Sequence, residues 1–266
     1  MRKMLLILFG FLLVFLAVFF TERKSDEKIK TEKHTGIEKQ TKTEKIAEIS
    51  TAERKEKKIK IAIDPGHQKD QMLKQEPIGP GASETKAKVS SGTEGCITGR
   101  PEYQVNLEIS MKLKEVLADR GYEVYMIRES NNVSLSNRKR AEMANKSGSK
   151  LFLRIHCNSD ENSWVQGALT MCPTDSNTYC SEIINDSQKL AQVVEKSLCQ
   201  KTGAKNRGII QTDQMSGINW SKIPVTIIET GFMSNPEEDK KLSDEVYQNQ
   251  LAEGIADGVD IYMKNK

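Results

Sequence analysis

The chain of 266 residues holds three histidines, and two of them stand where a strand-forming run stops. His67 follows Ile59–Asp64 across the turn Asp64-Pro65-Gly66, and His156 follows Leu151–Ile155, LFLRI. Glu229 ends a third apolar run, Pro224–Glu229, PVTIIE. Two neutral imidazoles and a carboxylate are the ligand set of a catalytic zinc, which keeps a fourth position for water. A second carboxylate is then needed to take a proton from that water. Each residue alone has an ordinary role. A strand-end histidine is most often a hydrogen-bonded surface group, and a glutamate opening a helix, such as Glu102, serves the helix dipole. Three polar residues ending three apolar strands have a shared reading, because open α/β sheets bind ligands beyond the carboxyl ends of their strands. Spacing alone leaves open which glutamate would bind the metal.

The elements that must position these residues alternate. Strands are expected at Ile59–Asp64, Tyr122–Ile127, Leu151–Ile155, Ala168–Met171, Gly208–Ile210 and Pro224–Glu229. Between them the apolar spacing predicts helices at Pro101–Asp119, Leu135–Asn145, Tyr179–Gln200 and Ser243–Lys264. Val105, Ile109, Leu113 and Val116 form one face of the first, with Pro101 suited to its first turn. Val246, Leu251, Ile255 and Val259 are the expected core face of the last. Such alternation implies an α/β fold, a single domain with a mostly parallel central sheet and helices on both faces.

That domain is expected at 59–266. Thr21–Lys58 carries 12 Lys/Arg and 9 Asp/Glu with almost nothing apolar, so it reads as a charged, flexible tether. Residues 59–266 hold 26 basic and 28 acidic residues, a balance that argues against nucleic acid as a partner. Arg2-Lys3 followed by the sixteen apolar residues Leu5–Phe20 forms a signal peptide or signal-anchor in 1–20. The run exits into Phe19-Phe20-Thr21-Glu22 without a small-x-small site, which favours an uncleaved membrane anchor with the bulk of the chain outside. Five cysteines at scattered spacing make neither a disulfide framework nor a CxxC zinc site, although Cys172 and Cys180 bracket a short loop and could pair.

Five blocks in order resemble the zinc-dependent N-acetylmuramoyl-L-alanine amidases of bacterial cell walls, amidase type 3. They are Ile63–Gln68 (IDPGHQ), Glu102–Leu107 (EYQVNL), Arg128 with Leu135–Arg138 and Ala144-Asn145, Ile155–Ser159 (IHCNS), and Pro224–Asn235 (PVTIIETGFMSN). The resemblance implies His67, Glu102 and His156 as ligands of one zinc ion and Glu229 as the catalytic base. The implied substrate is peptidoglycan, cut between N-acetylmuramic acid and L-alanine. Asp64 and Asn158 flank the histidines and could fix their tautomers by hydrogen bonds. Arg128 and Arg138 read as structural ion-pair partners, and Thr230-Gly231-Phe232 as a pocket floor, with Phe232 alternatively in the core. Strand alternation turns Cys157 away from His156, against a thiol hydrolase. One feature departs from compact members: His67 and Glu102 lie 35 residues apart. Lys69–Gly99 is then a long loop at the rim, a candidate for substrate binding or gating, and it leaves Glu94 as a rival to Glu102. The alternatives are a zinc peptidase on another amide and a non-catalytic wall-binding module.

Overall fold

The computed structural model describes residues 58–266. The expected apolar segment at 1–20 and all of the tether except Lys58 lie outside the described residues. In chain order the elements are β1 (Lys60–Pro65), β2 (Met72–Pro77), β3 (Thr85–Val89), α1 (Glu102–Asp119), β4 (Glu123–Met126), α2 (Asn137–Lys146), β5 (Leu151–Asn158) and β6 (Ala168–Cys172). They continue with α3 (Ile184–Thr202), β7 (Asn206–Gln211), α4 (Ser216–Asn219), β8 (Val225–Phe232), α5 (Pro236–Leu242) and α6 (Glu245–Lys264).

One six-stranded sheet runs in the order β4-β1-β5-β8-β6-β7. The first four strands are mutually parallel. β6 pairs antiparallel with β8 and carries β7 parallel to itself at the edge. The sheet is mostly parallel, as expected. Its reversed pair could not be read from apolar runs, which do not encode strand direction.

Alternation along the strands divides the core. Ile61 and Ile63 of β1 and Leu151, Leu153 and Ile155 of β5 meet α1, α3 and α6 on one face. Ala62 and Phe152 turn to the other face, toward Ala141 and Ala144 of α2 and Ile218 of α4. In α6 the buried stripe is Gln248, Leu251, Ala252, Ile255, Val259 and Tyr262. Val246 is 65% exposed, against expectation. It lies five residues before Leu251, which at about 100° per residue puts it well off the buried face. Among the described residues, no helix is long and apolar enough to cross a membrane.

The segment expected as a long loop is built instead. β2 and β3 form an antiparallel hairpin with Glu76 opposite Lys86 and Pro77 opposite Thr85. Its strands, MLKQEP and TKAKV, are largely exposed and lack an apolar alternation, so periodicity could not announce them. Buried Ile78 and Val89 seat the hairpin, and the Trp220 indole N–H donates to the Pro77 carbonyl at 2.9 Å. Beyond it, Asp239 accepts from the Ile97 and Thr98 amides at 2.7 and 2.8 Å.

Candidate metal centre

Register brings the first two functional groups together. β5 runs to Asn158 and β8 to Phe232, so His156 and Glu229 lie inside their strands rather than just beyond them. The two are direct partners across the β5–β8 pair, and neighbouring strands are about 4.8 Å apart. Glu229 follows Val225 and Ile227 at a spacing of two, and His156 follows Phe152 and Arg154 in the same way. Both therefore face the side of the sheet that α2 covers.

His67 arrives from the turn after β1, and the backbone there is strained. Its φ of 59° is the only positive value at a non-glycine position among the described residues, a conformation that costs about 1–3 kcal/mol and persists only when its surroundings hold it. Two buried guanidiniums do so. Arg128 donates to the Pro65 and Gly66 carbonyls at 2.8 and 3.0 Å. Arg140 donates to the Pro65 and His67 carbonyls at 3.0 and 2.9 Å. The His67 ring is fixed by the hairpin, since Nδ1 lies 3.0 Å from the Ser90 carbonyl oxygen. A carbonyl can only accept, so Nδ1 carries the proton and Nε2 presents its lone pair.

Glu102, in the first turn of α1, stands between the two rings. Its carboxylate oxygens lie 3.3 Å from His67 Nε2 and 3.3 Å from His156 Nδ1. The Thr93 amide, the Asn106 side chain and the Cys157 amide donate to it at 3.0, 3.0 and 3.1 Å. Burial opposes its ionisation, but His156, His67 and their hydrogen bonds outweigh that, and its pKa falls well below the usual carboxylate range. Burial also pushes His156 down to about 4 against the pull of Glu102, which leaves a neutral imidazole. The ligand atoms of His67, Glu102 and His156 all lie within 4.8 Å of one another. An ionised carboxylate with two neutral imidazoles, one held in a single tautomer, fits a zinc ion.

Packing around the cluster leaves no slack. A Cβ on Gly66 would lie 2.3 Å from His156 Cε1, and one on Gly92 would lie 2.5 Å from Glu102 Oε2. Glu229 lines a cavity of about 300 Å³ together with His67, His156 and Arg154. Its Oε2 is buried without a hydrogen-bond partner among the described residues. Burial, then the charge of Glu102, raises Glu229 to about 8 against the opposing charge of Arg154.

Other expected residues sit elsewhere. Asp64 does not touch the histidines: Arg140 and Arg154 take its two oxygens at 2.7 and 3.0 Å in a buried triad. The Asn158 side chain accepts from the Ser159 amide at 2.7 Å instead of orienting a ring. Arg128 is structural, but through carbonyls and the Asn131 side chain rather than an ion pair. Arg138 does form one, with Glu142 at 2.8 Å, and stacks on Trp220 with 4.1 Å to the ring centroid. Glu94 is exposed and bridges to Pro101, away from the cluster. Thr230 Oγ1 donates to the His156 carbonyl at 3.0 Å, and Phe232 is buried. The Cys157 thiol packs in the core, its pKa driven well above normal by burial. Cys172 and Cys180 are free. Sequence reasoning missed Ser90, Arg140 and Arg154. Arg154 had a legible signal, since a guanidinium inside the apolar run LFLRI must find a partner.

A two-histidine, one-carboxylate cluster beside a free carboxylate, at the carboxyl edge of an α/β sheet, is how metal-dependent hydrolases are built. Residues 61–260 match the family model described as N-acetylmuramoyl-L-alanine amidase, and the chain belongs to that family. It is 30% identical over 204 residues to the N-acetylmuramoyl-L-alanine amidase LytC of Bacillus subtilis, covering 77% of this chain. The match spans 35% of that relative's length. The crystal structure of an N-acetylmuramoyl-L-alanine amidase from Clostridium difficile 630 superposes with a TM-score of 0.64 at 29% identity, covering 79% of this chain and 98% of that one. The catalytic domain of CwlV, an N-acetylmuramoyl-L-alanine amidase from Bacillus (Paenibacillus) polymyxa var. colistinus, gives 0.61 at 27% identity, covering 78% and 99%.

Proposed function

We propose that the chain hydrolyses peptidoglycan at the amide between the lactyl group of N-acetylmuramic acid and the L-alanine of the stem peptide. In this reading His67, Glu102 and His156 hold a zinc ion and Glu229 is the base. The observation that carries it is the β5–β8 register, which sets Glu229 beside His156 with one carboxylate oxygen free. Family membership supports the choice of bond. When bound, zinc supplies Lewis acidity toward water and the amide carbonyl.

The residues of the chain do the rest. Glu229, whose ionised form the charge of a cation held by the three ligands would favour, takes a proton from the water that adds to the carbonyl carbon and hands it to the alanine nitrogen as the C–N bond breaks. Ser90 keeps the His67 ring in one tautomer, and Thr93, Asn106 and Cys157 keep Glu102 ionised and in place. The substrate lies outside the cytoplasmic membrane. Arg2-Lys3 with Leu5–Phe20 supports export, and an uncleaved segment would tether the domain there.

The test is mass spectrometry of fragments released from purified sacculi by the zinc-loaded chain. The expected products are stem peptides with a free L-alanine amino terminus and glycan strands without peptides. Products cut between amino acids, with the lactyl–alanine bond intact, would assign the chain to the zinc peptidases. Zinc binding without release would make it a wall-binding module.

A further inference from the structure

The cavity beside Glu229 has a second set of polar groups that the hydrolytic step does not use. Arg154 is 3% exposed. Its Nε donates to Asp64 at 3.0 Å and its Nη2 to Asn137 Oδ1 at 2.8 Å. Nη1 has no hydrogen-bond partner among the described residues, although the guanidinium lines the cavity. Gly217 permits this placement, because a Cβ there would lie 1.9 Å from Nη1. Accepting from Arg154 through Oδ1 leaves the amide of Asn137, also in the lining, with two N–H donors to offer. Lys86 on β3 completes the group. It gives one proton to the Gln214 carbonyl at 2.9 Å and keeps two, closing the cavity between the hairpin and the segment before α4.

Arg154, Asn137 and Lys86 thus present donors only, and two of the three are cations. Among the described residues, the one carboxylate in the lining is Glu229. A site of unspent donors on charged, partly fixed groups recognises an acceptor-only anion, and Nη1, the nitrogen of Arg154 left free by Asp64 and Asn137, has two N–H donors to offer it. We propose that these three residues form a carboxylate subsite that selects stem peptides with a free carboxylate on the residue after L-alanine. The proposal rests on the amidase reading. Consecutive Cα atoms are about 3.8 Å apart, so that carboxylate is one residue from the scissile amide, in keeping with so small a cavity. The hairpin between His67 and Glu102 then serves the site twice, with Ser90 orienting a ligand ring and Lys86 reading the substrate.

The test compares two probes, N-acetylmuramoyl-L-alanyl-D-isoglutamate and its isoglutamine counterpart, which differ in charge at one group. The zinc-loaded full chain should favour the carboxylate probe at least tenfold in kcat/KM, mostly through KM. Lys86→Met, a change at an exposed position, should narrow the preference about fivefold by slowing the carboxylate probe more than the amide probe, and Lys86→Arg should restore it. Arg154→Met should abolish it. Equal kcat/KM on both probes, or variants that slow both alike, would overturn the subsite. If neither probe is cleaved, the amidase reading fails by itself. Calorimetric binding of the two probes then decides the subsite: tighter binding of the carboxylate supports it, and equal affinities overturn it.

Discussion

Gly66→Ala isolates the steric demand of the site from every other effect. Gly66 does not need a positive φ, so the change tests space alone. The added Cβ would lie 2.3, 2.4 and 2.6 Å from Cε1, Nε2 and Nδ1 of His156, where unstrained contacts need about 3.5 Å. The ring must therefore retreat by about 1 Å, and its Nδ1 loses its 3.3 Å approach to Glu102. Overpacking of this kind costs about 1–3 kcal/mol. For a domain of roughly 200 residues each kcal/mol shifts Tm by about 2–4 °C, giving a fall of about 2–12 °C in the metal-free protein. Displacing one of the three proposed ligands should add a loss of zinc affinity of about tenfold or more, so the deficit in Tm should widen when zinc is present. The assay is thermal melting with and without zinc, paired with metal analysis after gel filtration. A variant with wild-type zinc affinity and unchanged Tm would show that the His156 ring is not held against Gly66.

Two further perturbations address the support of the site. Asp64→Asn leaves Arg140 and Arg154 buried without a counter-charge, and chemical denaturation should show a loss of about 3–5 kcal/mol; a loss below 1 kcal/mol would mean that the triad is not desolvated. Glu195, buried on α3, has its pKa raised to about 7, chiefly by burial. Its folded pKa lies above the unfolded value of 4.5, so its contribution is full below about pH 4.5 and is lost as pH rises through about 7. Glu195→Gln should leave Tm near wild type at pH 4.5 and raise it at pH 8, and parallel Tm–pH curves for the two proteins would contradict this.

Much of the fold was legible because its determinants are periodic. The apolar runs of β1, β5 and β8 and the stripe Val105, Ile109, Leu113 of α1 declare themselves in sequence and are buried in the core. His67, His156 and Glu229 were legible because they close three such runs, whereas Glu102, which opens a helix, was reached only through the family resemblance. What escaped has physical reasons. The hairpin keeps much of its surface in solvent, so neither strand alternates. Ser90 meets His67 Nδ1 with both its backbone carbonyl and its hydroxyl, across 23 residues of chain, and that approach exists only once the hairpin has folded. Asp64 neighbours His67 in sequence, yet two guanidiniums from α2 and β5 claim it, and such pairings exist only after folding. Arg138 and Arg140 differ by two helical positions, about 200° of rotation. That separates a half-exposed ion pair from the fully buried clamp on the His67 turn.

The central claim is that three residues hold the metal while Glu229 moves the proton, and one paired measurement tests it most directly. Zinc stoichiometry and stem-peptide release from sacculi should be determined side by side for wild type, Glu229→Gln and His67→Ala. The account predicts one zinc per chain with release lost in Glu229→Gln, and zinc lost together with release in His67→Ala. Full release by Glu229→Gln, or a full complement of zinc in His67→Ala, would contradict it.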